Sequence, residues 1–432
     1  MMVRQERWAS TRTGRRGRRR PLQIAGSLAA ASLMVGLGTA ASAGAQGAAP
    51  SSRPHAVAPR AQAVPTSLKG VCPNPVKIAT DWTPEAEQGA YYQLAASGGT
   101  IDKSGKTYTA PLIDPLNNKP TGVNVQLVAG GPALGFLQTP EVLHEQSSIL
   151  MGADDVDTAI ADATTAPVVG IVAPFTNSLH ILLWNPAKYH FKNFADIKKS
   201  GVTVLYFKGT EFVEYMAGAG ILSSSQLDGS YTGSPARFVA TGGGVVEQGF
   251  ATAEPYMYTH ETPSWNKAIA YELTSNTGYN PYSEMGETTP QNLAKYGACF
   301  KRLVPMIQQA QINFVLHPDR IINLLVQLNK AYGEIGGNYD AAVARYAVRT
   351  LLADRIVAQP SSGAFGSFDM GRVTHLIAQL KPVLSKGGQS LPASFQAGSV
   401  VTNRFIDRSI GFSAYHGPYN KTRGVIVVAG SK

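Results

Sequence analysis

Apolar positions along this chain fall into short runs separated by polar, glycine-rich and proline-rich stretches. Val76-Lys77-Ile78-Ala79 alternates and then meets Asp81-Trp82-Thr83-Pro84, the pattern of a strand running into a loop. Val123 to Val128, Val168 to Val172, Ser178 to Trp184, Val202 to Phe207 and Arg237 to Ala240 predict further strands. Helical patterning covers Glu85 to Ala96, stopped by Gly98-Gly99, then 141–163 and Phe194 to Lys199. Helices are also predicted at Glu211 to Ile221, opened by Gly209-Thr210, and at Val245 to Gly249, after a turn at Gly242-Gly243-Gly244. Longer helical stretches follow at 290–310, 318–333 and 339–358. Short strands alternating with helices predict an α/β architecture with largely parallel sheets.

Composition narrows the class. At 44% apolar and 15% charged residues the chain is not disordered, and its 44 glycines carry no three-residue period. Roughly 360 residues beyond the N-terminal region exceed the ~50–250 residues of a usual domain, which predicts two lobes. The formal charge of +10 is unevenly placed: residues 1–45 hold eight Arg and one Glu, leaving 30 basic against 27 acidic residues in 46–432. A nucleic-acid partner, which binds through neutralised phosphates, is therefore not expected. The same N-terminal arginines precede an apolar stretch at 22–40 and small-x-small sites at Ala41-Ser42-Ala43 and Ala43-Gly44-Ala45. That is the layout of a cleaved secretory signal peptide, residues 1–45. No Cys follows the apolar stretch closely, so a lipid anchor is not expected, and residues 46–74 read as a flexible linker. The expected location is the periplasm, cell envelope or exterior. There Cys72 and Cys299, the only cysteines, favour one disulfide over two free thiols.

Catalytic spacing is missing from the sequence: there is no Gly-x-Ser-x-Gly, His-Glu-x-x-His or Cys-x-x-Cys. Asp154-Asp155-x-Asp157 lacks the later residues of a calcium loop and reads as an acidic helix start. Gly99 to Thr107 has one residue too many for a phosphate loop and reads as a hairpin. His180 within an apolar strand reads as a satisfied core histidine. No metal and no cofactor is expected. Polar and aromatic residues do gather at strand-to-helix junctions, where open α/β sheets place ligands. Asp81 and Trp82 stand at the first junction with Tyr91 and Tyr92 in the next helix. Lys208, Gly209 and Thr210 stand at another, and Glu254 with Tyr256 at a third; Asn177 precedes the strand at 178–184. Each has a plain structural reading too: Trp82 and Tyr92 as core, Thr210 as a cap, Glu254 as a surface charge. Together they predict a small-molecule cleft.

These residues also follow a known order. Asp81-Trp82-Thr83-Pro84 with Gly89, Tyr91-Tyr92 and Ala95 resembles the opening motif of the extracytoplasmic solute-binding proteins of ABC transporters in the nitrate, sulfonate, taurine and thiamine-pyrimidine-precursor class. Gly152-Ala153-Asp154-Asp155, Phe194 to Lys198 with Lys208-Gly209-Thr210, Gln248 to Tyr256 and Asn403-Arg404-Phe405-Ile406 resemble its later segments, so the likeness spans about residues 75–410. It implies a type II periplasmic-binding-protein fold: lobe one from 75–167 and 270–432, lobe two from 168–269, joined by two crossings. It also implies a non-enzymatic, monomeric receptor that delivers its solute to permease subunits. Trp82 and Tyr92 match ring-stacking positions, and Thr210 matches a position that accepts polar or anionic groups. The other reading is an enzyme like the thiamine-pyrimidine synthases of the same fold, which the absence of a Cys cluster and the export signal disfavour. The segments 98–122 and 223–235 are longer than that pattern.

Overall fold

The computed structural model of the chain describes residues 66–208, 210–334, 338–412 and 424–431. The predicted signal peptide and most of the predicted linker lie outside these residues. The described residues belong to a compact unit spanning Gln62–Lys432. The linker prediction ran to residue 74, but Leu68 is fully buried and its N–H donates to Thr121 O at 2.9 Å. Cys72 is bonded to Cys299. Residues 66–74 are thus part of the fold, because an apolar anchor and a covalent tie hold them.

Thirteen strands occur among the described residues: β1 Val76–Ala79, β2 Thr100–Asp102, β3 Thr107–Asp114, β4 Lys119–Val128, β5 Met151–Asp154, β6 Val169–Val172, β7 His180–Trp184, β8 Val204–Leu205, β9 Leu227–Asp228, β10 Val246–Phe250, β11 Ile269–Leu273, β12 Met285–Thr288 and β13 Ile426–Val428. They build two sheets, ordered β2-β3-β4-β1-β5-β12-β6 and β13-β11-β7-β10-β8-β9. Within each, the same pattern recurs. In the first sheet β4, β1 and β5 are parallel, and β12 inserts antiparallel between β5 and β6. In the second β9, β8 and β10 are parallel, and β7 inserts antiparallel between β10 and β11. The inserted strand of one sheet directly follows the last core strand of the other: β7 follows β6, and β12 follows β11. This is the doubled, twice-crossed arrangement of the type II periplasmic-binding-protein fold. The crossings lie at 173–179 and 274–284, a few residues beyond the expected breaks at 168 and 270, and β13 returns to the edge of the second sheet.

Three expectations about elements are corrected. The sheets are mixed, since only four of the eleven strand pairings are parallel; the inserted strands, the β2-β3-β4 hairpins at one edge of the first sheet and the returning β13 at the edge of the second account for the rest. The stretch 141–163 is helix Thr139–Glu145, strand β5 and helix Val156–Ala161. The stretches 237–240 and 245–249 exchange roles, the first forming helix Ala236–Ala240 and the second lying in β10, with Val246 to Gly249 buried between β7 and β8. The central strands are apolar on both faces, as expected where helices cover a sheet. In β7, Ile181 and Leu183 pack into one hydrophobic cluster and Leu182 and Trp184 into another, the two-residue period of a strand buried on both sides.

Candidate functional site

The loops at one end of both sheets converge on a cavity of about 360 Å³, within the range of small-molecule sites. Asp81 and Trp82 leave the C-terminal end of β1, and Asp154 and Asp155 that of β5. From the second sheet come Phe207 and Lys208 after β8, Tyr231 after β9, and Gly249 and Phe250 at the end of β10. The antiparallel strands present their starts at the same place, His180 in β7 and Glu284 just before β12. In open α/β sheets the crevice outside the carboxyl ends of the parallel strands is where ligands gather.

One wall is a chain of hydrogen-bonded acids. Gln88 Nε2 donates to Asp81 Oδ1 at 2.9 Å and to Glu284 Oε1 at 3.3 Å. Glu284 N donates to Asp155 Oδ1 at 3.1 Å, and Asp155 Oδ2 lies 3.0 Å from His180 Nε2. Ser178 Oγ, 3.0 Å from His180 Nδ1, holds the far side of the ring, and Phe212 stacks on it at 4.5 Å. Asp157, Glu211, Glu85 and Glu254 complete the acidic lining. Burial, reinforced by neighbouring carboxylates, raises Asp81 to about 7 and holds Glu284, Asp154, Glu85 and Glu211 well above the usual carboxylate range. Burial also raises Glu254 to about 7 and Asp157 to about 6. For His180 burial acts downward, but the Asp155 carboxylate, by charge and hydrogen bond, leaves it raised. Glu254 folds back so that its Oε2 accepts from Phe250 N at 2.7 Å, a pose that depends on Gly249, where a Cβ would sit 2.9 Å from the carboxyl carbon.

The other wall is aromatic. Trp82 lies 5.8 Å from Phe136 and 6.1 Å from Phe207, and Phe207 lies 5.3 Å from Tyr231. Phe136 is 54% exposed and stands at the mouth. Gly131 backs the indole at φ +55°, and a Cβ there would lie 2.5 Å from Trp82 Cε3. Gly131→Ala is therefore expected to displace the ring and to cost about 1 kcal/mol for the left-handed backbone alone. Tryptophan emission should shift and the urea midpoint fall; an unchanged spectrum and midpoint would contradict this placement of Trp82.

Five of the ten residues named from the sequence meet at the cavity: Asp81, Trp82, Lys208, Thr210 and Glu254. Gly209 lies outside the described residues. Tyr91 and Tyr92 are in the core, 0% and 1% exposed, so Tyr92 offers no ring to a ligand; Tyr91 instead donates to Glu284 O at 2.8 Å and steadies the acidic wall. Asn177 does not line the cavity. It accepts from Asn280 Nδ2 at 2.9 Å and donates to Arg355 O at 2.8 Å, which ties the two crossings together. Tyr256 does not line it either, its ring stacking on His260 at 4.2 Å. Thr210 precedes helix Glu211–Gly218 as expected, but both its hydroxyl and its N–H donate to Phe207 O, at 2.8 and 3.1 Å. Sequence reasoning passed over His180, Asp155 and Asp157. His180 is a satisfied buried histidine, yet its partner is a cavity acid. Asp155 does precede helix Val156–Ala161, yet it also lines the cavity. Of the two longer segments, 98–122 forms edge hairpins of the first sheet, whereas 223–235 contributes Tyr231, Gly233 and Pro235 to the cavity. The predicted disulfide is present, its Cα atoms 4.9 Å apart, and it joins Cys72 to the start of helix Gly297–Leu316.

No protein-family model matches the chain, and no curated protein does. Solved structures do show similarity. The periplasmic aliphatic sulphonate binding protein SsuA from Escherichia coli aligns at 16% identity with a TM-score of 0.49, over 83% of this chain and 98% of that one. The alkanesulfonate-binding protein SsuA from Xanthomonas axonopodis pv. citri, bound to MOPS, aligns at 16% identity and a TM-score of 0.45, over 77% and 99%. The periplasmic nitrate-binding protein NrtA from Synechocystis PCC 6803 aligns at 11% and 0.44, over 77% and 88%. Identities this low extend no ligand to the present chain.

Proposed function

We propose that this protein is a solute receptor of an extracytoplasmic import system: it captures one small molecule between two lobes and presents it to a membrane permease. The observation that carries this reading is a cavity assembled from the strand ends of both sheets, with the chain crossing twice between them. Such a site binds more tightly when the two sheets approach, so a ligand selects the closed state. The N-terminal arginines and apolar stretch support export, and among the described residues no helix is long and apolar enough to cross a membrane.

Calorimetric titration against sulfonates, nitrate, pyrimidines and small amines, with solution scattering on each binder, tests the proposal. One solute is expected to bind at one site per chain and to reduce the radius of gyration. Trp82→Ala is expected to weaken that solute tenfold or more, since a ring face is worth about 0.5–1.5 kcal/mol beyond the area it buries. Failure of every solute to bind would overturn the receptor reading.

A further inference from the structure

We infer that the solute is a small organic cation with a flat apolar face, its charge held among Asp81, Asp155, Glu254 and Glu284 and its plane against Trp82 and Phe207. This rests on the receptor reading and names the class of ligand for that same cavity.

Three independent observations converge. The first is charge. The lining holds eight carboxyl side chains and no arginine; its basic residues are Lys208, which is exposed at the rim, and His180, which already has Asp155 and Ser178 as partners. The second is an unmet valence. Glu284 is 3% exposed, and its Oε2 has no hydrogen-bond partner; Oδ1 of Asp157, 2% exposed, has none either. Buried carboxyl oxygens are ordinarily paired, and an incoming N–H or cationic centre supplies what they lack. The third is the aromatic wall at the mouth, whose negative ring faces attract cations and whose flatness suits a planar group.

The position expected to take an anion, Thr210, has its donors occupied. Both go to Phe207 O, and Glu211 occupies the first turn of the helix that follows. A sulfonate or nitrate would meet carboxyl oxygens on one side and ring faces on the other.

Four probes test the inference: benzamidinium, its neutral isostere benzamide, benzenesulfonate and glucose, titrated calorimetrically into the chain at pH 8. Benzamidinium is expected to bind at least tenfold more tightly than benzamide, with benzenesulfonate and glucose weaker still. Glu284→Gln, which keeps the shape of the side chain, should weaken benzamidinium more than benzamide and so remove most of the tenfold preference. Glu254→Gln is the second variant, should the first melt well below the parent chain. Equal or tighter binding of benzamide, benzenesulfonate or glucose overturns the cation assignment and leaves the receptor reading standing. Binding of nothing, either here or in the broader solute panel, overturns both.

Discussion

Replacing Cys72 and Cys299 together by serine is expected to lower the free energy of unfolding by up to about 5 kcal/mol, the chain-entropy value for a closed loop of 227 residues. The bond joins the segment just before β1 to the first turn of helix Gly297–Leu316, whose buried face (Phe300, Leu303, Val304, Ile307) packs into the core of the first sheet. Without it, buried Leu68 and the hydrogen bonds from Arg302 to Ser67 O, from Asn117 to Thr66 Oγ1 and from Asn124 N to Asn74 Oδ1 still hold residues 66–74. Urea titration of the double variant, and of the parent chain under reducing conditions, should give the same lowered midpoint. A loss below 1 kcal/mol would mean that the unfolded chain gains little freedom from the cut.

The second large effect is on pH. Asp81 and Glu254, near 7, and Asp157, near 6, hold protons in the folded chain that the unfolded chain releases around 4. Stability from a raised group is fully present below its unfolded value, falls as pH climbs, and is gone once pH passes the folded value. At about 1.4 kcal/mol per pH unit, Asp81 and Glu254 each lose on the order of 3 kcal/mol between pH 4 and 8. Glu85, Asp154, Glu211 and Glu284 act in the same direction, and so does His180, whose contribution is complete below 6.5 and lost above its raised value. Asp155, the partner of His180, and Lys208 at the rim are the remaining charged groups of the lining. The ligand-free chain should therefore melt roughly 5 °C or more higher at pH 5 than at pH 8. Saturation with benzamidinium should flatten that slope, because a bound cation favours the ionised acids. A melting temperature that is constant or rises from pH 5 to 8 would contradict the burial of these groups.

Much of the architecture was legible in the chain. The alternation at 76–79, the apolar run at 178–184 and the long helices after 290 are local patterns that need no partner to be read, and the structure places β1, β7 and those helices there. β5 was not legible. Met151-Gly152-Ala153-Asp154 has no β-branched residue, and only pairing with β1 and β12 makes it a strand; Gly152 is needed because a Cβ there would lie 2.2 Å from Thr139 Cγ2. β10 was missed for a similar reason. Its Glu247 and Gln248 look solvent-facing, yet Glu247 is fully buried, with Tyr258 as its hydrogen-bond donor.

The candidate site divides along the same line. Residues at strand-to-helix junctions could be expected at a cleft from position alone, because open α/β sheets leave a crevice beyond their strand ends, and Asp81, Trp82, Lys208, Thr210 and Glu254 do line the cavity. A residue at a junction can still turn inward, as Tyr91 and Tyr92 do, since a short helix covered on all sides buries every face. What the sequence by itself determined is local: the order of strands and helices, the two-residue and helical periods, the thiols available to pair, and the N-terminal basic segment. What only the tertiary structure decided is which acids share one small volume. Asp81, Asp155, His180 and Glu284 are up to 203 positions apart in the chain and come together because antiparallel β7 and β12 insert from the opposite half of the fold. The shifted acid strengths and the unpaired oxygen of Glu284 arise from that proximity and burial, which no local pattern encodes.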